Sequence, residues 1–201
     1  MTRCNWLGVA FESMLEMDWL IQTDAFTYDL RVVKAQPLQI KYWFDGKFRK
    51  WTPDFLRSVK SDNRSSLVEV KTLETLYPED PEEQAWIKAK FAAIEHAANN
   101  EGYGFVLATE NEIRVQPRLH NAWLMTSVPS RHYPEACFRA GIDAVLILPA
   151  TSSIARLQQV LGRNYDAFET ALYLAWRGLV RLDPSVTWSR ETTFERTGRR
   201  M

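Results

Sequence analysis

Hydrophobic positions recur at spacings of three and four at the start of the chain. Phe11, Met14, Leu15, Trp19 and Leu20 fall on one face of a helix expected from Phe11 to Gln22. Glu12 and Glu16 stand one turn apart on it. From Val32 the period shortens to two: after Val32-Val33, residues Leu38, Ile40, Tyr42 and Phe44 alternate with polar positions, and Asp45-Gly46 is a hairpin turn signal. Phe48 to Val59 is expected as the returning strand. Pro53 has no N–H to give a ladder, which places a strand end, bulge or edge just before Asp54. Leu67 to Lys71 is a short apolar run behind a polar gap, the pattern of a central strand.

Pro81-Glu-Glu opens a helix expected to reach about Asn99, with acidic residues in its first turn and Trp86, Ile87, Phe91 and Ile94 at helical spacing. Gly102-Tyr-Gly104 ends it, and Phe105 to Ala108 follows as a strand. Helix, hairpin, strand, helix and strand in that order predict an α/β fold, with helices flanking a mixed sheet. After Val128 the pattern changes. Pro129, Pro134 and Pro149 punctuate short segments, helices are expected at Ser153–Leu161 and Asp166–Trp176, and Leu179–Leu182 with Val186–Phe194 can form a two-stranded wing. That order suits a small, mainly helical winged-helix domain, and generic helical packing accounts for it equally. The division expected is residues 1–128 and 129–201.

Composition narrows the class. With 201 residues, 46% of them hydrophobic, the chain can bury a substantial core. Cys4 and Cys137 have no zinc or disulfide spacing, which points to a reduced, cytosolic protein. No run approaches the ~18 apolar residues of a membrane span, so no membrane partner is expected. The zero net charge is unevenly spread: residues 1–128 carry 15 basic against 18 acidic side chains, residues 129–201 carry 10 against 7. Within the acidic part, Lys41, Lys47, Arg49, Lys50, Arg57, Lys60 and Arg64 crowd around Asp54, where a phosphate backbone would have to lie. A solvated hairpin face would look the same.

The candidate chemistry lies in Trp51-Thr-Pro-Asp54-Phe and Leu67-Val-Glu69-Val-Lys71. A cation such as Mg²⁺ takes oxygen ligands and usually one or two protein carboxylates, which Asp54 and Glu69 can supply. Lys71 lies two residues beyond Glu69 on the same strand face, where it can hold an attacking water and offset negative charge on a phosphate under attack. Each signal alone is weak: Glu-x-Lys in a strand is ordinarily a surface ion pair, and Pro-Asp ordinarily a turn. Other conspicuous residues have blander readings. His96, His120 and His132 lack metal-ligand spacing, and most of the eight tryptophans suit core packing. Trp43 and Trp51 are the two close enough to the motif to meet DNA. Arg190, Arg196, Arg199 and Arg200 form a basic tail.

A glutamate-bearing helix, a hairpin ending in Pro-Asp and a strand with Glu-x-Lys follow the order of the PD-(D/E)xK nuclease superfamily. Ser13-Met-Leu15-Glu16-Met-Asp18, Tyr28-Asp29, Gln36-Pro37, Thr52-Pro53-Asp54-Phe55-Leu56 and Leu67-Val-Glu69-Val-Lys71 together resemble the N-terminal domain of TnsA, the endonuclease subunit of heteromeric transposases. The resemblance covers roughly residues 13–126. It implies a restriction-endonuclease-like fold in which Glu16, Asp54 and Glu69 bind Mg²⁺, or Mn²⁺ in its place, and Lys71 is the catalytic lysine. Glu12 competes with Glu16 for the helix position, and the Ser-x-Leu-Glu context favours Glu16. Gln36 recurs in the family pattern. Arg57-Ser-Val-Lys60 departs from it, since apolar residues are usual after the Asp motif. The implied activity is hydrolysis of one DNA strand, at the 5′ ends of a transposon. The implied partners are transposon-end DNA, the transposase subunit TnsB and the ATPase regulator TnsC, in a bacterial cytosol. A stand-alone restriction or repair nuclease and a catalytically idle bridging subunit are the rival readings.

Overall fold

The computed structural model describes residues 8–130 and 133–198. Cys4, Trp6, His132, Arg199 and Arg200 lie outside them. The described residues form two compact units, 8–20 with 29–115, and 21–28 with 116–130 and 133–198.

The first unit begins with the N-terminal part of α1 (Met14–Phe26). Strand β1 (Leu30–Ala35) follows, then the hairpin β2 (Ile40–Phe44) and β3 (Lys47–Trp51). Asp45 and Gly46 at its turn both have positive φ, 54° and 70°, as a type I′ turn requires. The single returning strand expected over Phe48–Val59 is in fact two. Pairing with β2 stops at Trp51, Thr52-Pro53-Asp54 turns the chain, and β4 (Phe55–Val59) joins a different sheet. Pro53 sits at the break because it cannot donate to either ladder.

That second sheet runs β1-β4-β5-β6, where β5 is Ser66–Val70 and β6 is Gly104–Ala108. The β1–β4 and β4–β5 pairs are antiparallel and β5–β6 is parallel. The short α2 (Leu73–Leu76) and the long α3 (Pro81–Asn100) connect β5 to β6. Asp80 caps α3 by accepting the Glu82 N–H, with Pro81 at the first helical position. Leu67, Val68, Glu69 and Val70 are all buried, as befits an inner strand covered on both faces. Val68 and Val70 pack with Leu15, Trp19, Val33 and Phe55. Trp19 and Phe55 stack with centroids 4.8 Å apart, an arrangement worth about 1 kcal/mol beyond burial alone. Leu67 faces the opposite core, with Ile40, Tyr42, Trp51 and Ile94. The unit closes with α4 (Glu110–Ile113).

The second unit contains α5 (Arg118–Ser130), α6 (Glu135–Ile147), β7 (Thr151–Ser153), α7 (Ile154–Leu161), α8 (Ala167–Trp176), β8 (Val180–Leu182) and β9 (Thr193–Arg196). Helix α5 packs on α8 and belongs here, so this unit begins before the boundary expected at 128, with Pro129 accommodated in the helix's last turn. The three strands form one antiparallel sheet in the order β7-β9-β8, one strand more than the expected wing. Ser153 caps α7 and Asp166 caps α8, both by accepting backbone N–H groups. Asn121 is fully buried: its side chain donates to the Pro184 and Val186 carbonyls and accepts the Trp188 N–H. Among the described residues no helix is long and apolar enough to cross a membrane.

Candidate active site

Three of the expected side chains converge where β4 and β5 begin and end. Asp54 sits in the turn between the two sheets. One of its carboxylate oxygens accepts the Val70 N–H at 2.7 Å, and the Asp54 carbonyl accepts the Gln36 N–H at 3.0 Å. Glu69 lies inside β5, only 6% exposed. Lys71 follows directly, its backbone fixed by an N–H bond to the Ala108 carbonyl on β6. The Lys71 ammonium stands 2.8 Å from Glu69 Oε1, 3.6 Å from Asp54 Oδ2 and 3.2 Å from the Val70 carbonyl oxygen. One cation therefore faces three oxygens, two from the end of β5 and one from the turn that leads into β4.

The electrostatics follow from this enclosure. Burial pushes the Asp54 carboxyl up from an ordinary 3.8 to about 6; Glu69 and Glu16 add to the rise, while the Val70 N–H and Lys71 oppose it. Burial alone would lower the Lys71 ammonium, but its bond to Glu69 and the charges of Glu69 and Asp54 outweigh it and raise it overall. Two acidic side chains thus share one ammonium in a partly dry setting.

Trp51 was singled out in sequence for its nearness to the motif, and the structure gives it a different task from meeting DNA. Its ring is buried against Phe105, and its indole N–H donates to Glu69 Oε2 at 2.8 Å. Glu69 is thereby held at both oxygens, by Trp51 and by Lys71. A buried indole N–H needs an acceptor, and Trp51 ends a strand that faces inward with period two. The need for an acceptor was legible in the sequence; which residue supplies it was not.

The helix carboxylates are arranged differently from expectation. Glu16 accepts bonds from the Glu12 N–H (2.9 Å) and the Ser13 hydroxyl (2.9 Å), while the Ser13 oxygen accepts the Glu16 N–H. This is a capping contact at the start of α1, of the kind that Ser-x-x-Glu encodes. Glu12 instead accepts from the Gln36 amide at 2.7 Å. Gln36 holds φ of 41°, a left-handed backbone rare outside glycine, and links the Glu12 side chain to the Asp54 carbonyl. Glu16 reaches Asp54 through its charge. Among the described residues no three His, Cys, Asp or Glu side chains gather closely enough to hold a metal ion, and the hydrogen bonds of Glu16 are made within the start of α1. The Asp54–Glu69 pair fits a hard cation such as Mg²⁺, which needs only one or two protein carboxylates.

Residues 30–110 match the family model described as TnsA-like endonuclease N terminal. That segment is similar to TnsA-like endonuclease N-terminal domains. It contains Gln36, Asp54, Glu69 and Lys71, all four joined by the contacts above, while Glu12 and Glu16 precede it. The matched segment therefore contains the clustered site, with Glu69 on β5 and Gln36, Asp54 and Lys71 at strand ends. No curated protein matches the chain.

Proposed function

We propose that this protein is the subunit of a heteromeric transposase that hydrolyses the 5′ strand at each transposon end. The observation that carries the reading is the convergence of Asp54, Glu69 and Lys71 inside the segment matched to TnsA-like endonucleases. Asp54 and Glu69 would hold Mg²⁺, with Mn²⁺ as substitute, and the bound ion would supply Lewis-acid chemistry at the scissile phosphate. Lys71 orients the attacking water and offsets negative charge that develops on the phosphate oxygens. Trp51 fixes the rotamer of Glu69, and Gln36 fixes the Asp54 turn. Glu16 contributes charge beside Asp54 while keeping its capping contacts.

The second unit is assigned to docking of the partner subunits, a TnsB-type transposase and a TnsC-type regulator. Its order α6-β7-α7-α8-β8-β9 with β7 and β8 flanking β9 supports a winged-helix reading. A winged helix that reads DNA presents the helix at the α8 position to the major groove. Here Thr170, Ala171, Leu172, Leu174 and Ala175 of α8 are buried and Glu169 is its one fully exposed residue. A helix so covered has no cationic face for phosphate, which favours a protein partner over base recognition.

The test mixes the purified protein with its transposase, regulator and transposon-end DNA and maps nicks on each strand. Asp54→Ala is expected to abolish 5′-strand nicks and leave 3′-strand cuts in place. Unchanged 5′ nicks would overturn the assignment, and nicking of plain DNA without partners would favour a stand-alone nuclease.

A further inference from the structure

The hairpin β2–β3 has one face that the fold does not use. Register pairs Lys41 with Lys50 and Trp43 with Phe48 directly across the strands, and all four side chains are exposed. Trp43 is 58% and Phe48 73% exposed, and their rings meet edge to face at 4.9 Å. The opposite face does the packing: Tyr42, Phe44 and Trp51 lie toward α3, with Phe44 against Trp86 and the Arg49 guanidinium over both rings. Two lysines opposite each other repel, and two large rings that bury only part of their surface against each other leave most of it in water. The hairpin contains a single carboxylate, Asp45, and Arg49 of the packing face ion-pairs with it at 2.9 Å. Among the described residues neither Lys41 nor Lys50 has an ion-pair partner.

We propose that this face is a DNA-binding ribbon, with Lys41 and Lys50 on consecutive phosphates and the Trp43–Phe48 pair against an unpaired base beside the cut. The inference rests on the nuclease reading above and adds the surface that would deliver the strand. Charge selects the occupant: two unopposed cations flank an aromatic pair, the combination that binds backbone and base faces together in single-stranded DNA. Backbone continuity selects the place, because Lys50 lies near the end of β3 and only Trp51, Thr52 and Pro53 separate it from Asp54. A strand gripped along the ribbon therefore runs on toward the Asp54 turn.

The full-length protein in EDTA is titrated against a duplex bearing a short unpaired stretch and against the same fully paired duplex, by fluorescence anisotropy over a range of salt. Removing two phosphate contacts lowers the salt-dependence exponent by about 0.9 each, so Lys41→Gln/Lys50→Gln is expected to reduce it by about 2 on paired DNA. Trp43→Ala/Phe48→Ala is expected to leave that exponent alone and weaken binding to the unpaired stretch by about tenfold or more. All four positions are exposed, so the fold tolerates both variants; circular dichroism checks it. Wild-type binding and exponent retained in both variants would overturn the ribbon, as would variants that bind DNA normally but no longer co-purify with the transposase subunit. Binding is read without cleavage, so the two readings fail separately. Normal 5′ nicking with an unchanged exponent sinks only the ribbon, and the expected binding changes without any 5′ nicking sink only the cleavage assignment.

Discussion

Replacing Asp54 with Asn should make the protein more stable while disabling it. The carboxyl at this position is raised by burial from 3.8 to about 6, so the folded chain prefers it protonated. At 1.36 kcal/mol per pH unit, keeping it ionised at neutral pH costs the fold about 3 kcal/mol. The sign follows directly: a carboxyl with a raised folded-state pKa lends its full stability below 3.8 and loses it as pH rises through about 6. Asparagine does not ionise, its amide oxygen can still accept the Val70 N–H, and Lys71 keeps Glu69 at 2.8 Å. The lost 3.6 Å Lys71–Asp54 contact offsets part of the gain. Urea unfolding in EDTA, followed by tryptophan fluorescence, should show Asp54→Asn and wild type alike near pH 4. The variant should unfold at about 1 M higher urea at pH 8, for a typical slope of about 2 kcal/mol per molar. A variant equally or less stable at pH 8, or a difference that does not grow between pH 4 and 6, would refute the reasoning.

Trp51→Phe preserves most of the packing against Phe105 but strips the N–H from Glu69; losing a buried bond to a charged acceptor should cost about 2 kcal/mol in urea unfolding and lower 5′ nicking at least tenfold. Nicking should also fall as pH drops through about 6, because a protonated Asp54 cannot ligate a cation, and higher Mg²⁺ should shift the midpoint downward; a pH profile at two Mg²⁺ concentrations checks both. Gly141→Ala would ordinarily favour a helix, yet here its methyl would lie 2.5 Å from the Thr170 methyl, whose hydroxyl is tied to the Asp166 carbonyl and to the Tyr133 hydroxyl. Net destabilisation of about 1–3 kcal/mol is expected, seen as a lower thermal midpoint, with nicking at permissive temperature retained.

Much of the first unit was legible because its signals are local. Asp45-Gly46 dictated the hairpin, Pro81-Glu-Glu the start of α3, and the short apolar run from Leu67 a central strand. The clustering of Asp54, Glu69 and Lys71 followed from alternation plus motif order. Three things escaped for definite reasons. Pro134 and Pro149 looked like breaks between short segments, whereas they bracket one helix: Pro134 caps α6 and Pro149 follows its end. That helix packs through Gly141, Ala144 and Val145, small residues that leave a weak hydrophobic period. Ser13-x-x-Glu16 carries two meanings, an N-cap signature and a family position, and the capping contacts became visible only in the structure. The Trp51–Glu69 bond joins residues 18 apart, which only the pairing of sheets brings together.

The most direct measurement is a strand-resolved map of cuts at a transposon end by the assembled transposase carrying Glu69→Gln in this subunit. Glutamine keeps the size and the Trp51 acceptor but removes the charge that faces Lys71 and the cation. The expected pattern is intact 3′ cuts and no 5′ nicks, with the subunit still present in the assembly. Intact 5′ nicks at wild-type rate would show that the chemistry lies elsewhere.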